Sequence, residues 1–279
     1  MTDQFEEEHD SQPLVEHLTE LRDRLMKGVG SIFIVFIALI YFARDIYNFV
    51  AQPLMQALEG TSTMIATDVT ATFLTPFKLT FFVAVFIAMP VLLYQIWAFI
   101  APALYRNEKR LAKPIFASSI ILFYVGIAFA YFIVLPPIFM FFNAITPEDV
   151  ALMPDITTFL NLVIKLFFAF GLAFEIPVVT VILVTAGIIS PDGLAQKRPY
   201  VVVACFVIAM LMTPPDVVSQ SMLAFPMWGL FEIGIFFGRL AIKNRPPQDP
   251  QDDDTTNDDN IATDKATSAI TLSGKHTDH

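Results

Sequence analysis

The sequence predicts an all-α polytopic membrane protein with six transmembrane helices, the last two short, and with both termini in the cytoplasm. The first observation is composition: 55% of the 279 residues are hydrophobic and 28 are Phe. A soluble domain has too little interior to bury that much apolar surface. The second is a series of six apolar runs, and the third is the clustering of Lys and Arg between alternate runs, which is typical of cytoplasmic loops.

The runs differ in length. In order they are Gly28–Ala43, Leu79–Tyr105, Pro114 to a fading end at Pro136-Pro137, about Thr158–Ile189, Pro199–Thr213, and Val217 to about Gly238. A helix needs roughly 20 apolar residues to cross a bilayer core of ~30 Å. Runs two to four suffice. The first is borderline, but flanking Lys27 and Arg44 can snorkel outward.

The fifth and sixth runs are predicted to be short. The fifth run and the charge-free part of the sixth, which ends before Glu232, each have about 15 residues and give only ~22 Å of helix. Two prolines and a charge in Thr213–Asp216 forbid a continuous helix between them. The pair is either two short spans in a thinned bilayer or a re-entrant hairpin. Cations before run five and after run six favour spanning.

Twelve cations fall on one predicted side of the membrane, and two, Arg44 and Lys78, fall on the other. The twelve are Arg22, Arg24, Lys27, Arg106, Lys109, Arg110, Lys113, Lys197, Arg198, Arg239, Lys243 and Arg245. The cation-rich side is expected to be cytoplasmic, which requires an even number of spans. The predicted outer loops are then about 45–72, 137–157 and the break at 213–216.

Three regions follow from these patterns. Residues 1–27 form a cytoplasmic acidic N-terminus and an amphipathic helix, 28–238 the transmembrane domain with its first inner loop at about 99–113, and 239–279 a largely disordered acidic cytoplasmic tail. The net charge of −10 reflects the two ends and offers no nucleic-acid surface. The polar, acidic start is unlike a cleavable signal peptide.

The sequence indicates that the chain is not an enzyme. Its single Cys, Cys205, lies in an apolar run, so neither an intramolecular disulfide nor a metal-thiolate set can form. Its four His lie outside the spans. HExxH, GxSxG and P-loop motifs are absent, and no metal or other cofactor is predicted.

Glu175 is the most informative residue inside a run. A carboxylate there is costly unless it faces a cavity, has a partner or is protonated, and a functional role is the default interpretation. The alternative is a kink residue beside Pro177, donating to a freed carbonyl. Lys165 lies ten residues away, about 15 Å along the helix and on another face, so snorkelling explains it better than pairing with Glu175.

Other polar residues have simple structural explanations. Asp216 suits the N-cap of the sixth helix, with a partner-binding role equally open. Asn161, Thr213 and Gln220 are individually more typical of helix–helix hydrogen bonds.

Two cytoplasmic carboxylates are local ion-pair candidates. Glu20 and Arg24 have the i,i+4 spacing of a helical pair, in an amphipathic helix that leads into the first span. Glu108 lies among four cations in WAFIAPALYRNEKRLAK and could pair with one of them. Local reasoning alone favours these structural roles.

Six motifs in order change that balance. HLTELRDRL, STMIATDV, YQIWAFIAPALYRNEKR, FGLAFEIPV, KRPY and LTPPDVVSQ closely resemble the TatC family, the multispanning core of the twin-arginine protein translocase, over roughly residues 11–240. The resemblance implies a six-helix protein of the bacterial cytoplasmic membrane with both termini inside. It also implies binding of twin-arginine signal peptides, export of folded proteins driven by the proton-motive force, single-span TatA- and TatB-type partners, and self-association.

The resemblance also assigns candidate sites. The implied signal-peptide site comprises Glu20, Arg22, Phe99 and Glu108. Carboxylates can accept forked hydrogen bonds from two guanidinium groups, a geometry that Lys does not reproduce. The implied partner-binding positions are Met210, Thr213 and Gln220; Glu175 matches the family's intramembrane acid, and Pro53 and Asp216 match its outer elements.

Two other functions remain open. A proton-coupled secondary transporter could use Glu175, although no second buried acid or paired broken helices support it. A structural membrane scaffold would bind its partners without any dependence on a signal peptide.

Overall fold

The computed structural model describes residues 3–57, 64–104, 109–147, 153–213 and 216–243. Within these ranges the regular elements are all helices, and the one strand-like contact is an isolated bridge between Ile65 and Asp155. The helices are α1 (Asp3–Leu39), α2 (Ala43–Ala57), α3 (Ala71–Leu104), α4 (Lys109–Phe129), α5 (Leu135–Ile145), α6 (Ile156–Ala173), α7 (Ile176–Thr185), α8 (Pro191–Gln196), α9 (Arg198–Met212) and α10 (Val217–Lys243). The all-α class is confirmed.

Five helical segments among the described residues are long and apolar enough to cross a membrane. They are Thr19–Gln56, Ala71–Ala98, Pro114–Ile145, Ile156–Thr185 and Val217–Lys243. The fifth predicted run forms α9, which has only 15 residues and is short as predicted.

The prediction that the sixth span is also short is wrong, because α10 has 27 residues. A charged residue interrupts the apolar sequence of α10, but it does not end the helix. Near the C-terminal end of α10, Glu232 accepts a hydrogen bond from Arg198 at 2.7 Å and Arg239 donates to Asp192 at 3.1 Å. These contacts give charged residues of α10 polar partners, and the helix continues to Lys243, beyond the charge-free stretch that ends before Glu232.

Two predicted outer loops contain helix. The region 45–72 contains most of α2, and the region 137–157 contains most of α5. A π-helical segment, Ala130–Val134, lets the chain continue through Pro136 and Pro137. There the N–H of Leu135 bonds the carbonyl of Ala130, five residues back. The wider turn accommodates two residues that have no N–H to donate.

Pro53 lies inside α2 and removes one backbone hydrogen bond from that helix. The carbonyl that loses its donor is that of Phe49, four residues earlier. Tyr131, in the π-helical segment, donates its hydroxyl to this carbonyl at 2.7 Å, and its ring stacks on Phe49 at 5.2 Å. A side chain from a neighbouring element therefore replaces the hydrogen bond that proline omits.

The first span packs on protein along one side only. α1 runs antiparallel to α3, since Gly28 lies against Leu92 and Phe36 contacts Phe81. Most of its other large apolar side chains, such as Ile34 and Ile37, are exposed. This helix leaves a broad apolar face open beside α3.

The core is centred on α3, α4 and α6. Phe86 packs against Phe123 and Phe167, with ring centroids 6.2 and 6.0 Å apart. Glycines allow close approach of α4 and α6: a Cβ at Gly126 would lie 2.5 Å from the carbonyl oxygen of Phe170. After α7 the chain turns at Gly187, whose φ of 74° favours glycine.

Asp155 fastens the segment before α3 to the start of α6. One carboxylate oxygen accepts from the Thr67 N–H at 3.2 Å and from its hydroxyl at 2.8 Å. The other caps α6 by accepting from the N–H groups of Thr157 at 3.1 Å and Thr158 at 3.0 Å. These donors favour the ionised carboxylate and lower the pKa of Asp155 from 3.8 to about 2.

We expect the hydrogen bonds that Asp155 accepts from Thr67, Thr157 and Thr158 to weaken in acid. Because its pKa is lowered on folding, Asp155 contributes its full stabilisation above about pH 4, and the contribution is lost as the pH falls towards 2. Thermal unfolding of the detergent-solubilised chain, followed by circular dichroism, should show a falling midpoint over this window. Asp155→Asn keeps a capping side chain but does not titrate, so its midpoint should fall less. An equal fall in both proteins would contradict the prediction.

Candidate functional site

Glu175 lies at a break between two helices. α6 ends at Ala173 and α7 begins at Ile176, with Pro177 near its start. One Glu175 carboxylate oxygen accepts from the Ser119 hydroxyl of α4 at 2.5 Å. The other is buried and has no hydrogen-bond partner within the described parts of the chain. The break therefore presents a carboxylate that is only half satisfied.

Lys165 is not the partner of Glu175. This agrees with the helical geometry, which places the two residues on different faces. Lys165 is exposed on α6, whereas Ser119 approaches from α4. Sequence reasoning missed Ser119. The available signal was a pair of hydroxyl residues, Ser118 and Ser119, in an otherwise apolar run. Ser118 bonds its own helix at the carbonyl of Ile115, which leaves Ser119 as the interhelical donor.

The described end of the proposed signal-peptide site lies on α1. Glu20 accepts from Arg24, with the guanidinium Nε at 3.0 Å, so the predicted i,i+4 pair is confirmed. Arg22 donates to Asp23 at 3.0 Å and its side chain is 74% exposed. The Glu20 side chain is itself 46% exposed. Its pairing with Arg24 therefore leaves the carboxylate accessible at the protein surface.

The other end of that site is described only in part. Phe99 belongs to the last turns of α3, and its side chain lies outside the described set. Glu108 lies outside the described residues, as does most of the acidic tail. The pairing of Glu108 with its neighbours stays a prediction.

The hairpin of α9 and α10 brings four candidate residues to one end. Gln220 donates from its amide to the carbonyl of Phe206 at 2.9 Å, which confirms a helix–helix hydrogen bond. Thr213 is buried and bonds the carbonyl of Ala209 in its own helix at 3.0 Å. Met210 is half exposed. Of these side chains, Met210 is the most available for an external contact.

Asp216 is the N-cap of α10. One carboxylate oxygen accepts from the N–H of Ser219 at 2.7 Å, as the capping interpretation predicts. The other oxygen and the Ser219 hydroxyl are buried and have no hydrogen-bond partner in the described ranges. The cap role is confirmed, and the polar atoms left over keep a second role open.

Comparison with known proteins identifies the family. Residues 16–226 match the family described as TatC, Sec-independent protein translocase protein. The TatC protein of Azotobacter chroococcum mcd 1 is 56% identical over 235 residues, which is 84% of this chain and 92% of that protein. The TatC protein of Escherichia coli K12 is 53% identical over 233 residues, covering 84% of this chain and 90% of that protein.

A solved structure has the same fold. The crystal structure of a twin-arginine translocase receptor, TatC, superposes with a TM-score of 0.74 at 38% identity, covering 81% of this chain and 99% of the solved one. Family, relatives and fold agree over the membrane-embedded part. The chain therefore belongs to the TatC family and is a membrane subunit of the Sec-independent protein translocase, a transport component rather than a catalytic enzyme.

Proposed function

We propose that this chain is the receptor for twin-arginine signal peptides, with Glu20 and Glu108 as the carboxylates that bind the two arginines. The observation behind the proposal is the accessible Glu20 carboxylate at the start of the first span. The solved relative is described as a twin-arginine translocase receptor, which supports the same role here.

The chemistry fits a pair of guanidinium groups. Glu20 already accepts from the Arg24 guanidinium, so this carboxylate has the accessibility and orientation to bind arginine. An incoming arginine would compete with Arg24 for it. Arg22 and Arg24 would in turn repel basic sequences that cannot form forked hydrogen bonds. Phe99 would position the Glu108 loop as an apolar neighbour.

The proposed topology has six spans in the bacterial cytoplasmic membrane, with both termini inside. The contact of Gly28 with Leu92 sets the start of the α1 span beside the C-terminal half of α3. The Arg198–Glu232 pair sets the start of α9 beside the later part of α10. Within each helix pair these contacts support a common cation-rich end, which the positive-inside rule assigns to the cytoplasm.

The proposal also covers the partner subunits of this chain and the energy source for translocation. TatA- and TatB-type single-span subunits would bind at the α9–α10 hairpin, where Met210 is exposed and Thr213 and Gln220 are already engaged within the protein. Pro53 and Asp216 would shape the outer elements. Translocation of folded proteins would assemble from several copies and use the proton-motive force.

Crosslinking tests the receptor assignment. A photoreactive residue at position 108, in membranes that contain the full chain, should form an adduct with a signal peptide carrying two arginines. The same peptide with two lysines should form little adduct, because ammonium groups lack the forked geometry. A photoreactive residue at the exposed position Val69, near the opposite end of α3, is the matched control and should form none. Equal adducts with both peptides at position 108 would contradict the receptor assignment.

A proton-coupled transporter is the second candidate, and the half-satisfied Glu175 carboxylate is the observation that favours it. Family membership favours the translocase. Uptake of a small solute into liposomes that is driven by a proton gradient and lost in Glu175→Gln would reverse that preference.

A further inference from the structure

Two lysines lie beside the seam between α3 and α6, outside every site described above. Both helices begin at the same end, which the bridge between Ile65 and Asp155 holds together. From that end inward, the Thr75 and Thr157 hydroxyls lie 3.4 Å apart, and Lys78 donates to the Asn161 side-chain oxygen at 2.7 Å. These contacts fix the register of two parallel helices.

Lys165 lies on the same helix as Asn161, one turn further from the end at which α3 and α6 begin. It follows Asn161 by four residues and therefore lies on the same face, about 6 Å further along α6. Its side chain is exposed. A lysine in this position is expected to extend its ammonium group towards the polar end of the helix, to the level of Lys78 and Asn161.

One turn further along α3 and α6 than the lysines, the two helices contact each other through aromatic rings. Phe82, one turn after Lys78, packs edge-to-face on Phe168, one turn after Lys165, with centroids 5.6 Å apart. Both rings are partly exposed. We call the surface formed by Lys78, Asn161 and Lys165 with these two rings the α3–α6 groove; its lysines lie nearer the start of the two helices and its aromatic rings lie deeper.

The positive charge of the groove is not neutralised within the described part of the chain. The salt bridges there involve Arg22, Arg24, Arg198 and Arg239, and neither Lys78 nor Lys165. Asp155, the acid nearest in sequence to Asn161, is occupied by threonine donors on both oxygens. Lys78 therefore has a neutral acceptor, the Asn161 side-chain oxygen, and neither lysine has a carboxylate partner among the described residues.

We propose that the α3–α6 groove binds an anionic phospholipid, with its phosphate between Lys78 and Lys165 and an acyl chain on Phe82 and Phe168. The position of Lys78 supports a lipid: α3 carries no charge from Leu79 to Leu104, so Lys78 lies at the outer end of its uncharged stretch. Charge complementarity and the polar-to-apolar order of the groove match a headgroup above its chain. Under the proposed topology this lipid belongs to the outer leaflet.

Binding of defined lipids to the purified full chain tests the proposal without any signal peptide, so its outcome is independent of the receptor assignment. Native mass spectrometry would count bound phosphatidylglycerol and phosphatidylcholine with identical acyl chains. We expect preferential retention of phosphatidylglycerol. Each of Lys78→Gln and Lys165→Gln should weaken it about fivefold, as expected for loss of one cation near a lipid phosphate. Arg44→Gln, which removes an exposed cation elsewhere near that end, is the matched control and should change little.

Three results would overturn the proposal. One is equal retention of the two lipids by the unaltered chain. Another is displacement of phosphatidylglycerol by millimolar inorganic phosphate, since that would indicate a free-anion site. The third is a photoreactive residue at position 165 that forms adducts with a protein but not with lipid in native membranes, which would assign the groove to a partner's carboxylate.

Discussion

Replacing Glu20 or Glu108 by alanine is expected to reduce crosslinking of a twin-arginine signal peptide to this chain by at least tenfold, and to stop export of a folded reporter protein. A hydrogen bond to a charged group contributes about 1.5–3 kcal/mol, which corresponds to a tenfold or greater change in binding. Glu20→Ala also releases Arg24, so a new positive charge would face the incoming arginines. Both effects act in the same direction.

Asp23 provides the matched control for Glu20. It lies on the same turn, is similarly exposed and pairs with Arg22, but it does not match a family site residue. Asp23→Ala releases Arg22 as Glu20→Ala releases Arg24, but it removes no carboxylate of the proposed site, so crosslinking and export should fall far less than in Glu20→Ala. Unchanged crosslinking and export in both Glu20→Ala and Glu108→Ala would remove these residues from the proposed site, and an equal loss in Asp23→Ala would indicate a general charge effect.

Gly126→Ala is expected to destabilise the fold by about 1–3 kcal/mol, the usual effect of overpacking a close contact. The added Cβ would lie 2.5 Å from the carbonyl oxygen of Phe170 and 3.1 Å from the Cα of Gly171. Both obstructing atoms belong to the α6 backbone, so α4 and α6 would have to separate. That movement would also disturb the hydrogen bond of Ser119 with Glu175, two turns along the same interface.

The unfolding of this variant can be followed at Cys205. The chain has one cysteine, and its side chain is buried in α9, so a thiol-reactive fluorophore reports unfolding on heating. Gly229→Ala is the matched control, because its added Cβ meets nothing within 4 Å in a described helix. It should be neutral or stabilising by up to about 1 kcal/mol through helix propensity. Similar midpoints for the two variants would show that the α4–α6 contact is not tight.

The helical class and the short fifth helix could be predicted because hydropathy reports burial in a membrane directly. Helix ends could not. Pro136 and Pro137 indicated a loop, yet a π-helical turn ahead of them lets the helix continue to Ile145. Glu232 ends the charge-free part of the sixth run, yet it pairs with Arg198 and α10 continues to Lys243. The first case depends on a local change in backbone hydrogen bonding, whereas in the second the partner of Glu232 lies 34 residues away.

The candidate sites show the same division. Glu175 could be located from sequence because a carboxylate is rare in an apolar run, but its partner Ser119 is 56 residues away and depends on how α4 and α6 pack. Local pairs such as Glu20 with Arg24 followed from helical spacing alone. Asp155 precedes Thr157 and Thr158 in a pattern typical of a helix cap, yet its contact with Thr67 spans 88 residues.

The bond from Tyr131 to the Phe49 carbonyl changes how a mutational scan of the outer elements is read. A proline in a helix is usually examined for the bend it causes or the surface it presents. Pro53 also leaves an acceptor free for Tyr131, and any other residue there would offer an amide that competes for it. An export defect caused by substituting Pro53 is therefore ambiguous between a lost partner contact and a loosened join of α2 to the π-helical segment.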